Sequence, residues 1–257
     1  MRFIPLASGS TGNATLVELG SVRLLVDAGL SERALRQRLE AVAVEPSSID
    51  CILLSHEHID HVRGVERFSM RHGVPVASAI ETLEAMDCSP VHFAEWIPLE
   101  EGARLDYGDV QVEPFAVPHD AVRPLGFVLR GAGLKIGVAT DLGHVTTLVR
   151  ERLRGCDLIM IEANHDEELL LNGPYPWHLK QRVAGRMGHL SNTTTASLLR
   201  DVVDDACRAV VLAHLSEKNN RPALARDSAA GALGANGRRR VSMRVAAAKQ
   251  PTPAVEL

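Results

Sequence analysis

Short apolar runs broken by turn residues dominate the first half of the chain, the rhythm of β-strands bounded by glycine, proline and asparagine. Residues 2–6, 14–19 and 22–27 read as a meander, and 51–55 as a buried strand. Between them, Leu30, Ala34, Leu35 and Leu39 share one face of a helix over 30–39. A helix is expected to start near Asp60 and run to Arg71, with strands following at 74–77 and 110–116. The second half repeats the theme, with strands at 126–129, 134–139, 157–161, 209–213 and 241–246 and helices over 177–187 and 194–203. This pattern predicts an α/β (α+β) arrangement in which helices cover mixed sheets. No strict repeat, low-complexity tract or long linker interrupts it, so one domain over 1–257 is expected.

Composition narrows the class. An apolar fraction of 46% supports a sizeable core, and 23% charged residues an ordinary soluble surface, which excludes collagen-like, disordered and coiled-coil chains. No apolar run reaches the roughly 18 residues that a membrane helix needs. The first residues lack the apolar stretch of a signal peptide, so a cytoplasmic protein without a membrane partner is expected. The net charge of −4 argues against wholesale coating of a polyanion, and 24 arginines against 4 lysines fit either phosphate recognition or genomic bias. Arg238-Arg239-Arg240, the one basic run, reads as a solvated loop. Cys51, Cys88, Cys156 and Cys207 stand far apart and read as small buried hydrophobes rather than disulfides or zinc ligands.

Histidine is the unusual component, with eleven in the chain. In His56-Glu57-His58-Ile59-Asp60-His61, four potential metal ligands (His56, His58, Asp60 and His61) directly follow a buried strand. Two histidines two apart in a strand-to-helix turn can face one point, while Asp60 and His61 face a second a few ångström away, which suits a pair of metal ions. A surface helix cap would need three unfavoured histidines at once. Further ligands stand at strand ends: His119 after 110–116, Asp141 after 134–139 and His214 after 209–213. Together they make a sulfur-free nitrogen and oxygen set, suited to zinc, manganese or iron rather than calcium.

With Ser55 and the later His119, Asp141 and His214, this motif resembles the metallo-β-lactamase fold, a four-layer αββα sandwich of two mixed β-sheets between helices. The resemblance implies two divalent ions, Zn2+ or Mn2+. One would be held by His56, His58 and His119, the other by Asp60, His61 and His214, with Asp141 bridging. Asp27, in Leu25-Val26-Asp27-Ala28-Gly29, matches a residue that braces the metal loop; a helix cap is its alternative. The stretches Leu6–Asn13, Pro118–Ala121 with Pro124–Phe127, Ala139–Gly143, Glu162–Asp166, Gly173–Trp177 with Leu179-Lys180, Gly188–Asn192 and Ala213–Asn220 look like those of YycJ-type hydrolases. These proteins are similar to ribonuclease Z-like phosphodiesterases, and the resemblance implies a 5′-to-3′ exonuclease acting on double-stranded DNA. Positions 142–213 are too few for the extra domain of ribonuclease J-like enzymes, and no tRNA-clasping arm stands out. Val44-Glu45-Pro46 and the alanine-rich 223–235 stretch depart from the pattern.

Three residues are assigned catalytic work. Asp60, a ligand and the nearest carboxylate, can orient the attacking water or accept its proton. His189 is the candidate proton donor to the leaving alkoxide, and Glu162 matches the glutamate that partners this histidine in ribonuclease Z-like enzymes; a helix cap is the alternative for His189. Ser8, Ser10 and Asn13 sit in a glycine-rich loop that either presents amides and hydroxyls to phosphate or simply turns a hairpin. His165 is expected near the site in support. Lys180, Arg182 and Arg186 track a nucleic-acid backbone or form a solvated helix face. Tyr175 and Trp177 are expected to anchor the proline turn to the core rather than stack on a base. His72, His92, His144 and His178 have no such context. The rival readings are a phosphodiesterase for small or cyclic phosphate esters, and a non-catalytic nucleic-acid-binding or signalling accessory module. A true β-lactamase is disfavoured by the missing export signal.

Overall fold

Strands whose two faces are both covered read as nearly continuous apolar runs, and this chain uses that device twice. The computed structural model describes residues 1–235, 237 and 240–257. In the first sheet, β1 (Arg2–Ala7), β2 (Ala14–Leu19) and β3 (Val22–Val26) form an antiparallel meander. Then β4 (Cys51–Leu53), β5 (Val76–Ser78) and β6 (Trp96–Pro98) run parallel to β3. The helices α1 (Glu32–Ala41), α2 (Ile59–Val62), α3 (Val65–His72) and α4 (Ile80–Ala85) lie in the crossovers. The second sheet repeats this plan: a meander of β7 (Leu105–Tyr107), β8 (Val110–Ala116), β9 (Leu125–Gly131) and β10 (Leu134–Ala139). The parallel strands β11 (Leu158–Glu162), β12 (Ala209–Ala213) and β13 (Ser242–Val245) complete it. Here α5 (Thr147–Leu153) joins β10 to β11, whereas α6 (Glu167–Asn172), α7 (Trp177–Val183) and α8 (Asn192–Val202) precede β12 and α9 (Pro222–Ala235) follows it. Finally β14 (Val255–Glu256) returns to pair with β1.

Side-chain alternation makes the layers. In β11, Leu158 and Met160 point into a core shared by both sheets, with Val17 and Leu24 across from them. Ile159 and Ile161 point the other way, under Leu198 and Leu199 of α8 and Ala229 of α9. Phe68 of α3 and Leu35 of α1 cover the outer face of the first sheet. The order is helix, sheet, sheet, helix, as the family resemblance implies. Among the described residues, no helix is long and apolar enough to cross a membrane.

The differences from expectation have local causes. The helix expected over 60–71 is two helices, because the chain breaks at Gly64. The Gly64 amide donates to the Ala28 carbonyl at 2.9 Å, and a Cβ there would lie 2.1 Å from the Leu30 carbonyl oxygen. The helix expected over 177–187 stops at Val183, whose carbonyl instead accepts the His189 amide at 2.9 Å. Arg186 therefore lies beyond the helix, with its carbonyl accepting from His144 Nδ1. α4, α5, α6, β6, β7 and β14 escape sequence reading because they are too short to show a period, and α9 because alanine shows no face. Of the basic run 238–240, Arg238 and Arg239 lie outside the described residues.

Candidate metal centre

Strand ends from both sheets meet at one edge. Asp27 follows β3, the His56–His61 loop follows β4, His119 follows β8, Asp141 follows β10, Glu162 ends β11 and His214 follows β12. Asp27, Asp141 and His214 have φ of +62°, +57° and +53°, a region that non-glycine residues rarely adopt and that the surrounding structure must enforce. The sharp turn aims each side chain across the edge instead of along its sheet. Close backbone packing holds the metal loop: Asn13 N donates to the Asp60 carbonyl at 2.7 Å, and a Cβ on Gly29 would lie 1.6 Å from that same oxygen. Gly29→Ala is therefore expected to displace the Asp60 loop, lowering stability by about 3 kcal/mol and weakening metal uptake. Thermal melts with and without metal check this; an unchanged melt and metal content would show the loop to be free to shift.

Buried acceptors fix the imidazoles. The Asp27 carboxylate accepts from Ser55 N (2.8 Å), Ser55 Oγ (2.9 Å) and His61 Nδ1 (2.8 Å). His119 Nδ1 donates to the Gly188 carbonyl (3.1 Å) and His214 Nδ1 to Glu162 Oε1 (3.0 Å). Such partners leave each Nε2 lone pair directed inward, the usual brace of a metal-ligating histidine. The inward atoms then lack donors: His119 Nε2, His214 Nε2 and Asp141 Oδ2 are buried with no hydrogen-bond partner. Three clusters overlap there: His56, His58 and His119; His56, His61 and Asp141; and Asp60, His61 and His214, each with ligand atoms within 4.8 Å of one another. All seven residues singled out as ligands thus converge. Unpaired buried polar atoms are costly alone, and a cation that takes their lone pairs resolves that cost. Five imidazoles and two carboxylates fit divalent zinc or manganese, and the chain takes divalent metal ions.

Electrostatics separates the imidazoles into two groups. Burial opposes charge on His61, but the Asp27 and Asp141 carboxylates outweigh it and push its pKa up to about 10. Burial is likewise outweighed at His214 by Asp141, Asp60 and Glu162, which raise its pKa well above 6.5. His56 and His119 are held neutral, chiefly by burial and then, for His56, by the neighbouring His61. Metal binding must therefore expel protons from His61 and His214 but not from His56 or His119. Titration of the metal-free chain at pH 7.5 is expected to release about two protons, and affinity at the His61–His214 side should fall more steeply with acidification. Calorimetry in buffers of different ionisation enthalpy measures this; zero release would contradict the charged state of that pair.

Glu162 is fully buried and serves two histidines. Its Oε1 accepts from His189 Nδ1 at 2.7 Å as well as from His214, and its Oε2 accepts the Leu142 and Leu190 amides at 3.1 Å each. Burial would raise its pKa, yet His189 and His214 pull the carboxyl down to about 2. Burial opposes a charge on His189, but the Glu162 carboxylate outweighs it and raises its pKa. A pocket of about 140 Å³ opens beside His189 and His214, with Ser10, Tyr175 and Arg182 on its walls.

The other sequence candidates fall in several places. Ser8 Oγ accepts the His214 amide at 2.8 Å, and Asn13 Nδ2 lies 3.3 Å from Asp60 Oδ2 and 3.0 Å from His61 Nε2, so both brace the cluster. Ser10 is exposed at the pocket. His165 is buried behind His189, its backbone bridged to Ser191. Lys180 donates to the Leu171 carbonyl at 2.7 Å and lines a separate groove. The expected core anchoring of Trp177 is overturned: its residue is 63% exposed, because α7 turns that position away from the pocket. Tyr175 lines the pocket itself. Sequence reading passed over Asp120, whose Oδ1 lies 3.3 Å from His119 Nε2 and whose Oδ2 accepts from Arg182 Nε at 2.6 Å. It also passed over Asn164, which donates to the His214 carbonyl at 3.0 Å. Their adjacency to His119 and His165 was the one available signal.

Comparison with known proteins agrees with this fold. The model of the beta-lactamase superfamily domain matches residues 22–215. Exodeoxyribonuclease YycJ of Bacillus anthracis is 35% identical over 243 residues, spanning 92% of this chain and 90% of that protein. Exodeoxyribonuclease WalJ of Streptococcus pneumoniae is 36% identical over 228 residues, spanning 87% and 85%. The metallo-beta-lactamase fold protein YhfI of Bacillus subtilis superposes with a TM-score of 0.75 at 15% identity, covering 98% of this chain and 99% of its own.

Proposed function

The chain belongs to the metallo-β-lactamase superfamily, in the family of the YycJ and WalJ proteins, and is a metal-dependent hydrolase; on that premise we propose that it is a two-metal phosphodiesterase degrading duplex DNA from the 5′ end. The observation that carries this reading is the convergence of seven inward-facing nitrogen and oxygen ligand atoms beside a pocket bordered by His189, whose Nδ1 is held by the buried Glu162 carboxylate. The names of the two relatives support DNA as the substrate class and exonucleolytic action as the mode.

Bound divalent ions would supply a water acidic enough to attack at neutral pH and positive charge for the phosphate's non-bridging oxygens. His56, His58 and His119 would hold one, Asp60, His61 and His214 the other, and Asp141 would lie between them. The chain's own groups do the rest. Asp60, its Oδ2 fixed among His61 Nε2, His214 Nε2 and Asn13, orients the attacking water and accepts its proton. The bond to the leaving oxygen breaks as His189 gives that alkoxide its Nε2 proton, while Glu162 on Nδ1 stabilises the ring before transfer and keeps it oriented afterwards. Asp27 keeps the His61 imidazole from rotating as charge shifts, and Ser8 holds the His214 backbone in place.

A second reading, hydrolysis of small or cyclic phosphate esters, is favoured by one observation: the Arg182–Asp120 ion pair stands across a small pocket. One assay separates the two. End-labelled duplex DNA, single-stranded DNA, RNA and a cyclic phosphodiester are offered with manganese and with zinc. Mononucleotides released from the 5′ end of duplex DNA are expected. Rapid hydrolysis of the cyclic ester with no action on DNA would transfer the assignment to the second reading.

A further inference from the structure

Helix α7 separates two concavities. Leu179, Arg182 and Val183 face the pocket beside His189, whereas Trp177, Lys180, Gln181 and Ala184 line a groove on the opposite side. These four positions recur at i, i+3, i+4 and i+7, so one stripe of the helix makes the groove wall. Leu171 from α6 makes the other wall, and like Trp177 it is exposed, by 60% against 63%. Two large apolar side chains standing in water on facing elements are unusual for a surface with no ligand.

The groove is not merely greasy. His165, 97% buried by its 3% exposure, lines it, and its Nδ1 is buried without a hydrogen-bond partner. Lys180 uses one of its N–H donors on the Leu171 carbonyl, leaving the others for an anion at the rim. The groove's carboxylate, Glu167, is occupied by the Ser191 hydroxyl at 2.8 Å. A flat aromatic face, an amide from Gln181, a cationic rim and an unsatisfied imidazole together suit one occupant: a nucleobase with its phosphate, unpaired so that its face is free. A paired base inside a duplex presents its edge, not its face, and the terminal pair offers its face only as part of a full-width pair, whereas an unpaired base can enter the groove singly. The groove lies one helix away from the pocket beside His189.

Resting on the nuclease reading above, we propose that the groove behind α7 seats an unpaired nucleobase of the DNA substrate, stacked on Trp177, and so sets a preference for duplex ends that carry a single-stranded tail. It adds a strand-separating contact to a site that otherwise recognises only the scissile phosphate.

The test uses the metal-loaded protein in a Trp96→Phe background, which leaves Trp177 as the sole tryptophan. Phosphorothioate duplexes, blunt or tailed, are titrated while tryptophan fluorescence is followed. The tailed duplex should quench Trp177 and bind more tightly than the blunt one. Trp177→Ala, made without the background change, should weaken tailed-duplex binding by about tenfold, in the range of one stacked base. Trp177→Phe should restore most of that, and hydrolysis of a nitrophenyl phosphodiester should not change in either variant. If the protein cleaves DNA but binds tailed and blunt duplexes equally, or Trp177→Ala binds the tailed one normally, the groove has no such role. If it neither binds nor cleaves DNA while hydrolysing small phosphodiesters, the nuclease reading itself fails.

Discussion

His189→Ala is expected to keep its metals and still bind DNA, yet to lose about 10²–10⁴-fold in kcat, the contribution of a positioned general acid. The reason is geometric. Glu162 occupies Nδ1 at 2.7 Å, so the ring offers one proton, on Nε2, to the pocket side. A leaving group that needs no proton should hide the defect, so a nitrophenyl phosphodiester should be cleaved at nearly the normal rate. Glu162→Gln should not simply repeat this pattern, because the same Oε1 also braces His214. It should lose metal affinity as well as rate. Steady-state kinetics on both substrates, with metal content measured beside them, separate these roles. An equal loss on both substrates would make His189 a stabiliser of phosphate charge, and no loss would reduce it to a helix cap.

Asp27→Ala should be the most damaging substitution for stability. It strands the buried Ser55 amide, and leaves the Ser55 hydroxyl and His61 Nδ1 with only each other and His56 Nδ1 for partners. Breaking a buried pair by removing one partner costs about 3–5 kcal/mol, and loss of a brace on a ligating histidine lowers metal affinity about 10–100-fold. Asp27→Asn is the informative control. Its volume is unchanged, but whichever way the amide turns, an NH2 group faces either the Ser55 N–H or His61 Nδ1–H. Facing His61, it shifts the imidazole proton to Nε2, the atom directed at the cluster. The folded state should survive while the His61 side loses its ion. Denaturant unfolding and competition with a metal chelator measure the two effects; an Asn variant with normal affinity would deny Asp27 any part in setting the tautomer.

What could be read before folding follows from where each signal lives along the chain. β11 and β12 are legible as apolar runs because helices and a second sheet cover them on both faces. The His56–His61 ligands are legible because one turn carries them all. His119, Asp141 and His214 are single residues at strand ends, weak signals singly that only the His56–His61 motif made readable as ligands; the left-handed backbone of Asp141 and His214 is a tertiary consequence with no sequence mark. The break at Gly64 arises from its approach to Leu30, and the Asp120–Arg182 pair from contact between a loop and a helix distant in sequence. Trp177 looked like a core residue by type, but it falls on the stripe of α7, with Lys180, Gln181 and Ala184, that faces the outer groove.

The two-ion centre is tested most directly by diffraction from zinc-soaked crystals at energies above and below the zinc absorption edge. Two anomalous peaks are expected, one within coordinating distance of His56, His58 and His119 and the other of Asp60, His61 and His214, with Asp141 reaching both. A single peak after saturation with zinc, or peaks outside this cluster, would contradict it.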